Sequence, residues 1–347
     1  MAEFRAVAYG PELHRLLLRV AGHAPADALA GARLALAEGR AGDVALTLGT
    51  VLAAAGLPPN DEEFALLGAL EPDSVEPLSD TQPGQWPPLP LDFRPLAGDD
   101  QDAPPLLDLT GVHADYVASL TDTHDQAATA AAERLPGARA LWRAWRLGAE
   151  PAAVFVLEAG VPAEQLPVLT ATLQRELQAA GLPHPLVETY APGDDLPPYQ
   201  RQAREASALL WTAEPPRPVA VARVFDGADP DTGPWFDRDH PLLGGEGRDQ
   251  VLAYLDGGWP VLTTTERADD ILDPERGPVV PLSYRSDGVW VWTDTVAYYL
   301  REHHLAPDLE LLAHMDAADY RMPAPDAVAV HRVLAALLAP APAPADA

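Results

Sequence analysis

The densest group of potential metal ligands in the sequence lies between residues 226 and 240. It contains five aspartates and one histidine, namely Asp226, Asp229, Asp231, Asp237, Asp239 and His240. Carboxylate and imidazole groups together can bind a divalent cation that activates water for hydrolysis. The candidate ligands of such a metal-dependent hydrolase are Asp229, Asp231, Asp239 and His240.

This segment departs from the pattern of a calcium-binding loop. In a loop counted from Asp229, calcium requires an oxygen ligand at position 5, glycine at position 6 and a carboxylate at position 12. The sequence places Gly233, Pro234 and His240 there. Because aspartates in polar loops often accept hydrogen bonds from their own turns, we expect capped turns rather than a calcium loop.

A second group of potential ligands lies near the C-terminus and could bind zinc. It comprises Glu302, His303, His304, Glu310 and His314. Adjacent histidines on a helix point to different faces, and a proline separates the two halves of the group. The sequence therefore favours histidines that stabilise helix C-termini over a zinc site.

Tryptophans on predicted strands and loops are candidate anchors for a protein partner, because Trp and Arg dominate binding hot spots. The candidate partner-binding residues are Trp142, Trp145, Trp235, Asp237, Trp290 and Trp292. Residues two apart on a strand share a face, so Trp290 and Trp292 belong either to the core or to an exposed binding strip.

Two absent residue types exclude several classes of chemistry. The chain contains neither lysine nor cysteine. Without lysine it cannot use a Walker phosphate loop, a kinase strand lysine or a pyridoxal Schiff base. Without cysteine it has no thiolate nucleophile, iron–sulfur cluster or disulfide. We expect no cofactor.

The net charge of −29 indicates the kind of partner. A strongly negative field repels phosphate backbones and anionic lipids and attracts basic proteins, with an effect that weakens as salt rises. We therefore expect a basic protein partner and neither nucleic acid nor membrane. The alternative is that the acidity only keeps the protein soluble.

No apolar run approaches the roughly 20 residues that span a bilayer. Charged residues such as Glu3, Glu12 and Arg15 interrupt the N-terminal segment, which is unlike a secretory signal. We expect a cytoplasmic protein.

The pattern of apolar residues, prolines and glycines predicts an α+β protein with an N-terminal helical module and two small α+β units with mainly antiparallel sheets. The predicted parts are a helical module at 1–71, a Pro- and acid-rich linker at 72–105, α+β domains at 106–214 and 215–322, and a short helix with a disordered tail at 323–347. Asn60 and Glu63 predict a capping box at a helix start.

Two details of this prediction affect the candidate partner sites. Trp86 and Phe93 lie in the predicted linker, where they either staple it to a neighbouring domain or form a docking motif for a scaffold protein. In the last domain, Asp287-Gly288 predicts a hairpin turn between two alternating strands.

The segments DRDHPLLGGEGRDQVLAYLDGG and VVPLSYRSDGVWVWTDTVAYYLREHHLAPDLELLAHM resemble a module of uncharacterised actinobacterial acidic proteins associated with polymorphic toxin neighbourhoods. The resemblance carries no catalytic motif and implies an intracellular immunity or accessory role. Together with the charge, it favours a non-enzymatic protein that binds a basic toxin or partner. A metal-dependent hydrolase using the Asp/His loop and a scaffold or adaptor protein are the alternatives.

Overall fold

The computed structural model describes residues 9–78, 84–89, 91–98, 103–148 and 151–339. The chain forms two units of helices and sheets, with the boundary between Pro216 and Arg217. The predicted α+β class is confirmed. Among the helices that the structure describes, none is both long enough and apolar enough to cross a bilayer.

The leucine-rich N-terminal segment of the first unit folds into four consecutive helices. These are α1 (Gly10–Val20), α2 (Ala26–Ala37), α3 (Ala41–Ala55) and α4 (Asp61–Leu70). The predicted capping box is present at α4, where Asn60 Oδ1 accepts the Glu63 N–H at 2.8 Å and Glu63 Oε2 accepts the Asn60 N–H at 2.9 Å. Two polar groups at the helix start are thereby satisfied by local residues.

The rest of the first unit is a sheet with four further helices. The helices are α5 (Ala114–Leu120), α6 (Thr123–Ala132), α7 (Leu166–Ala179) and α8 (Pro198–Glu205). The strands are β1 (Phe93–Arg94), β2 (Leu107–Asp108), β3 (Ala138–Arg146), β4 (Ala152–Ala159), β5 (Leu186–Tyr190) and β6 (Ala208–Thr212). The strand order is β2-β6-β3-β4-β5, and β1 pairs with the end of β3. β3 is antiparallel to β4 and β6, whereas β4 and β5 are parallel and are joined through α7.

Both faces of this sheet are covered. Leu141, Trp142, Phe155 and Val156 are all fully buried although neighbouring residues on a strand point to opposite faces. Leu141 and Phe155 pack with α6 and α7. α8 also packs against β3 and β4.

The four N-terminal helices pack within the same unit as the sheet. Arg33 on α2 donates a hydrogen bond from Nη2 to Glu188 Oε2 on β5 at 2.5 Å, and both side chains are buried. Gln200 on α8 donates to the same oxygen at 2.7 Å. The predicted linker at 72–105 therefore does not divide two compact units.

The aromatic residues of the predicted linker pack against neighbouring elements. Trp86 Nε1 donates to the Pro58 carbonyl at 2.9 Å, and the Arg19 guanidinium lies 3.9 Å from the indole centroid. Phe93 packs edge-on against Tyr199 with centroids 5.3 Å apart. The stapling alternative fits this packing better than an exposed docking motif.

The second unit contains short strands and four helices. The strands are β7 (Ala220–Val221), β8 (Gly227–Asp229), β9 (Gly233–Trp235), β10 (Trp259–Leu262), β11 (Arg267–Asp269), β12 (Pro278–Pro281), β13 (Tyr284–Ser286) and β14 (Trp290–Thr293). The helices are α9 (Gly245–Gly257), α10 (Asp294–His303), α11 (Leu309–Ala317) and α12 (Ala327–Leu338). A four-stranded sheet has the order β10-β13-β14-β7, and β8-β9 and β11-β12 form separate two-stranded sheets.

The predicted hairpin at Asp287-Gly288 joins β13 and β14. Gly288 has a φ of 93°, and Asp287 Oδ1 accepts the N–H groups of Val289 and Trp290. Glycine is favoured at such a backbone angle, since it has no Cβ.

Strand pairing and a helix cap set the bounds of three helices in the first unit. α8 ends at Glu205, before Ala208–Thr212, which pairs with β3 as β6. α5 and α6 are separate helices because the Asp122 side chain caps the start of α6. α12 occupies most of the predicted C-terminal helix, and the predicted disordered tail at 340–347 lies outside the described residues.

Candidate functional site

The acidic segment singled out in the sequence forms the β8–β9 hairpin, which we define as residues 225–240 including its flanks. Gly227 pairs with Trp235 and Asp229 with Gly233 across the two strands. Asp229 Oδ1 accepts the N–H groups of Asp231 and Thr232 at 2.9 and 3.0 Å. This is the capped turn that the sequence predicts.

An aromatic cluster fixes the flanks of the β8–β9 hairpin to α10. The ring of Phe236 lies 4.9 Å from that of Tyr299 and 5.2 Å from that of Phe225, measured between centroids. Trp235 is the last residue of β9, and Phe236, which follows it, packs into this cluster. Neighbouring residues on an extended chain point to opposite sides, so Trp235 points away from the cluster. The aromatic cluster therefore holds in place the hairpin that carries Trp235.

Trp235 is exposed over 43% of its surface. Its indole ring lies against Gly227, where any Cβ would overlap the ring. An exposed tryptophan with one face supported has lost much of its conformational freedom before any partner arrives. This is the property that makes tryptophan an effective binding anchor.

The charge around Trp235 is almost all negative, with five aspartates and one arginine between residues 225 and 240. Hydrogen bonds from the N–H groups of Thr232 and Asp231 lower the pKa of Asp229. Burial opposes ionisation of Asp226, but the N–H of Asp237 and the ring of His240 outweigh it and lower the carboxyl pKa. The geometry of the hairpin therefore keeps these carboxylates ionised.

The proposed metal ligands of this hairpin are used in internal hydrogen bonds. His240 Nδ1 lies 2.9 Å from Asp226 Oδ2, and Nε2 lies 3.0 Å from the Ala306 carbonyl oxygen. Asp229 accepts from its own turn, while Asp231 and Asp239 are exposed. Within the described residues, no group of three or more His, Asp or Glu side chains is arranged to hold a metal ion.

The histidines of the second predicted group bind different carboxylates. His303 Nε2 lies 2.6 Å from Asp270 Oδ2, which also accepts the Tyr298 hydroxyl at 2.9 Å. His314 Nε2 lies 2.7 Å from Asp287 Oδ2, which accepts the Tyr254 hydroxyl at 2.6 Å. These networks connect α10 and α11 to turns that the buried aspartates cap, and they do not form one zinc site.

The predicted partner-binding tryptophans have different positions. Trp142, Trp290 and Trp292 are buried, with exposed fractions of 0%, 9% and 1%. Their assignment as partner contacts is wrong because all three are part of the core. Trp290 and Trp292 pack in one cluster with α9, α10 and α11, and Trp292 Nε1 donates to the Leu255 carbonyl at 3.1 Å. Trp145 is half-buried beneath Arg143, whose guanidinium lies 5.7 Å from the ring centroid. Trp235 and Asp237 are exposed, as a partner contact requires.

Sequence reasoning missed a cleft in the first unit. It lies between α1, α4 and the loop before α8 and encloses about 1090 Å³. Its walls include Leu16, Leu66 and Leu196, and charged side chains surround its opening. The apolar run of α4 was the available signal, but the same run is equally typical of a core helix.

The fold and these surfaces define an α+β protein with a fixed, acidic and aromatic hairpin in one unit and an open apolar cleft in the other. No protein-family model matches the sequence, and no curated protein or solved structure is significantly similar to it.

Proposed function

We propose that this chain is a non-enzymatic binding protein for a basic protein partner and that the β8–β9 hairpin is its contact surface. The observation that carries the proposal is Trp235, which is exposed over 43% of its surface, held against Gly227 and surrounded by aspartates. An aromatic anchor within a ring of charge is the usual composition of a binding hot spot and its rim.

The charge of the chain supports a basic partner. With a net charge of −29, the chain attracts positively charged proteins over distances longer than direct contact. This long-range attraction increases the rate of association. Asp226 and Asp229 keep their charge through hydrogen bonds, so the local attraction persists as the pH falls. An intracellular immunity or accessory role toward a basic toxin is the form of this function that the resemblance of the C-terminal module implies.

The internal bonds of the hairpin favour binding over metal-dependent hydrolysis. Both nitrogens of His240 are engaged by protein oxygens, and the carboxylate of Asp229 caps its own turn. A metal would have to replace these bonds. Trp86 is engaged by Pro58 and Arg19 of its own unit. This packing gives little support to a scaffold protein that binds its partner through the linker.

The proposal is tested by capture of proteins from a lysate of the organism that encodes the chain. The immobilised protein is washed at about 0.1 M and at about 1 M salt, between which the screening length falls from about 10 to about 3 Å. We expect a stoichiometric basic protein that is retained at low salt and released at high salt. Capture of no such protein at either salt would contradict the proposed function.

A further inference from the structure

We infer that the cleft between α1, α4 and the loop before α8, here called the α1–α4 cleft, binds a short partner segment in which apolar side chains are flanked by arginine or lysine. This inference rests on the proposed function and deepens it, because it names the chemistry of one segment that the partner would supply. The site lies in the first unit and shares no residue with the β8–β9 hairpin.

The α1–α4 cleft has an apolar interior. Leu16 comes from α1, Leu66 from α4 and Leu196 from the loop, and all three line the same space. Leu16 and Leu196 are buried, with exposed fractions of 3% and 7%. A volume of about 1090 Å³ is large enough for several side chains of a peptide.

Helix α4 leaves much of its apolar surface uncovered. Of its ten residues, Leu67 is the one that is buried. Phe64 is exposed over 41% of its surface, and Leu66 is half-buried. Residues two apart on a helix lie on different faces, and Leu66 is the one of the two that lines the cleft. Its partly uncovered side chain is apolar surface that another chain can cover.

The charged opening of the cleft selects a basic occupant. Arg19 donates two hydrogen bonds to the Glu63 carboxylate, and these two charges cancel. Arg15 and Glu12 also line the cleft and form an exposed ion pair at 3.8 Å. The remaining exposed charges are Glu62, Asp194, Asp195 and Arg201, so carboxylates are in excess at the opening. Asp194 Oδ2 accepts the Ala191 N–H at 2.9 Å, which fixes one of these carboxylates.

An apolar interior and an acidic opening together favour a peptide segment that carries both apolar and positively charged side chains. Leucine-like side chains would bury apolar surface in the cleft, and neighbouring arginines or lysines would meet the carboxylates. Peptides with apolar side chains at regular spacing bind helix-lined grooves in this way.

The probe for this inference is a fluorescent peptide of repeated Leu-Arg-Arg-Leu units, and its control is the same peptide with serine in place of leucine. Binding to the purified full-length chain is measured by fluorescence anisotropy. We expect the leucine peptide to bind at least about tenfold more tightly, since burial of a single leucine side chain is enough for a difference of this size. Equal binding of the two peptides would overturn the inference, because it would show charge attraction without use of the apolar interior.

Substitutions locate the binding site. Leu66→Arg places a charge within the cleft, and the matched variant Leu46→Arg adds the same charge at an exposed position on α3. We expect Leu66→Arg to weaken leucine-peptide binding at least about tenfold and Leu46→Arg to change it less than about twofold. Equal effects of the two variants would overturn the inference.

A surface variant covers the case in which Leu66→Arg fails to fold. Asp195→Arg reverses one charge at the opening, and Glu164→Arg makes the same change at an exposed site outside the cleft. We expect Asp195→Arg alone to weaken binding severalfold. If it leaves binding unchanged, the role of the acidic opening is excluded.

Further outcomes separate this inference from the proposed function. Binding lost in Trp235→Ala but retained in Leu66→Arg would place the peptide on the hairpin and overturn the cleft site only. A dimer that Leu66→Arg dissociates would assign the cleft to a second copy of the chain. Binding that appears only in a chain beginning at Tyr9 would assign it to the chain's own first eight residues.

Discussion

The indole of Trp235 lies against Gly227 on the facing strand, in space that a Cβ at position 227 would occupy. Gly227→Ala therefore displaces the ring while leaving the tryptophan in the sequence. We expect the indole N–H resonance of Trp235 to shift and partner binding to fall about as far as in Trp235→Ala.

Gly257→Ala is the matched control for this substitution. Gly257 ends α9 in the same unit, and a Cβ there would meet no neighbouring atom. It should leave the Trp235 resonance and partner binding unchanged. If Gly227→Ala behaves like Gly257→Ala, the indole is not held in place by the hairpin.

The position of Trp235 shows what the sequence could predict about this site. Aspartates with glycine and proline indicate a capped turn, because this signal is local. Whether a tryptophan on a strand is exposed depends on which faces the helices cover, and that is decided by distant residues. Trp235 and Trp292 are both candidate partner contacts by sequence, but Trp235 is exposed and Trp292 is buried in the fold.

This difference predicts opposite effects on stability. Trp292→Ala should lower the free energy of unfolding of the second unit by about 3–5 kcal/mol, since it leaves a cavity in the core. Trp235→Ala should change it by less than about 1 kcal/mol. Urea unfolding measures both, and a large loss for Trp235→Ala would mean that its exposed ring has a structural role.

The pairing of Arg33 with Glu188 connects α2 to β5 within the first unit. Removal of one partner leaves a buried charge uncompensated, so Arg33→Met or Glu188→Met alone should cost about 3–5 kcal/mol. The double substitution removes both charges. We expect it to be less destabilising than either single one, as measured by chemical unfolding.

Additive losses in this double-mutant cycle would show that the two charges do not interact. The same pair lies within a unit that includes both sides of the predicted linker. Proline and acid between residues 72 and 105 indicated a linker, but a contact between residues 155 positions apart in sequence leaves no local signal.

The buried His14 makes the stability of the first unit depend on pH. Burial lowers its pKa to about 4; the hydrogen bond to the Thr189 carbonyl opposes this and the charge of Arg33 adds to it. The unfolded state binds the proton more readily, so the contribution of neutral His14 is complete above about pH 6.5 and is lost as the pH falls toward 4.

Between pH 7 and pH 5 this group should account for a loss of about 2 kcal/mol. His14→Gln keeps a hydrogen-bond donor and removes the titration, so the variant should lose about 2 kcal/mol less than the wild type over this interval. Chemical unfolding at the two pH values measures the difference. An equal loss in both proteins would contradict a buried neutral histidine.

The contribution of Asp125 to stability changes with pH in the opposite direction to that of His14. The pH dependence of wild-type stability alone therefore does not isolate the histidine. Burial raises its pKa to about 6, which makes its contribution to stability largest at low pH and lost as the pH rises through 6. Arg143 lies near this carboxylate and opposes the shift. The comparison of His14→Gln with wild type isolates the histidine because Asp125 is present in both.

The most direct test of the account is the affinity of the captured basic protein for chains with and without Trp235. Calorimetric titration compares the wild type with Trp235→Ala and with Tyr116→Ala, which removes another exposed aromatic side chain from α5. We expect Trp235→Ala to raise Kd about thirtyfold, equivalent to about 2 kcal/mol, and Tyr116→Ala to leave it unchanged. Wild-type affinity in Trp235→Ala would contradict the assignment of the hairpin as the binding surface.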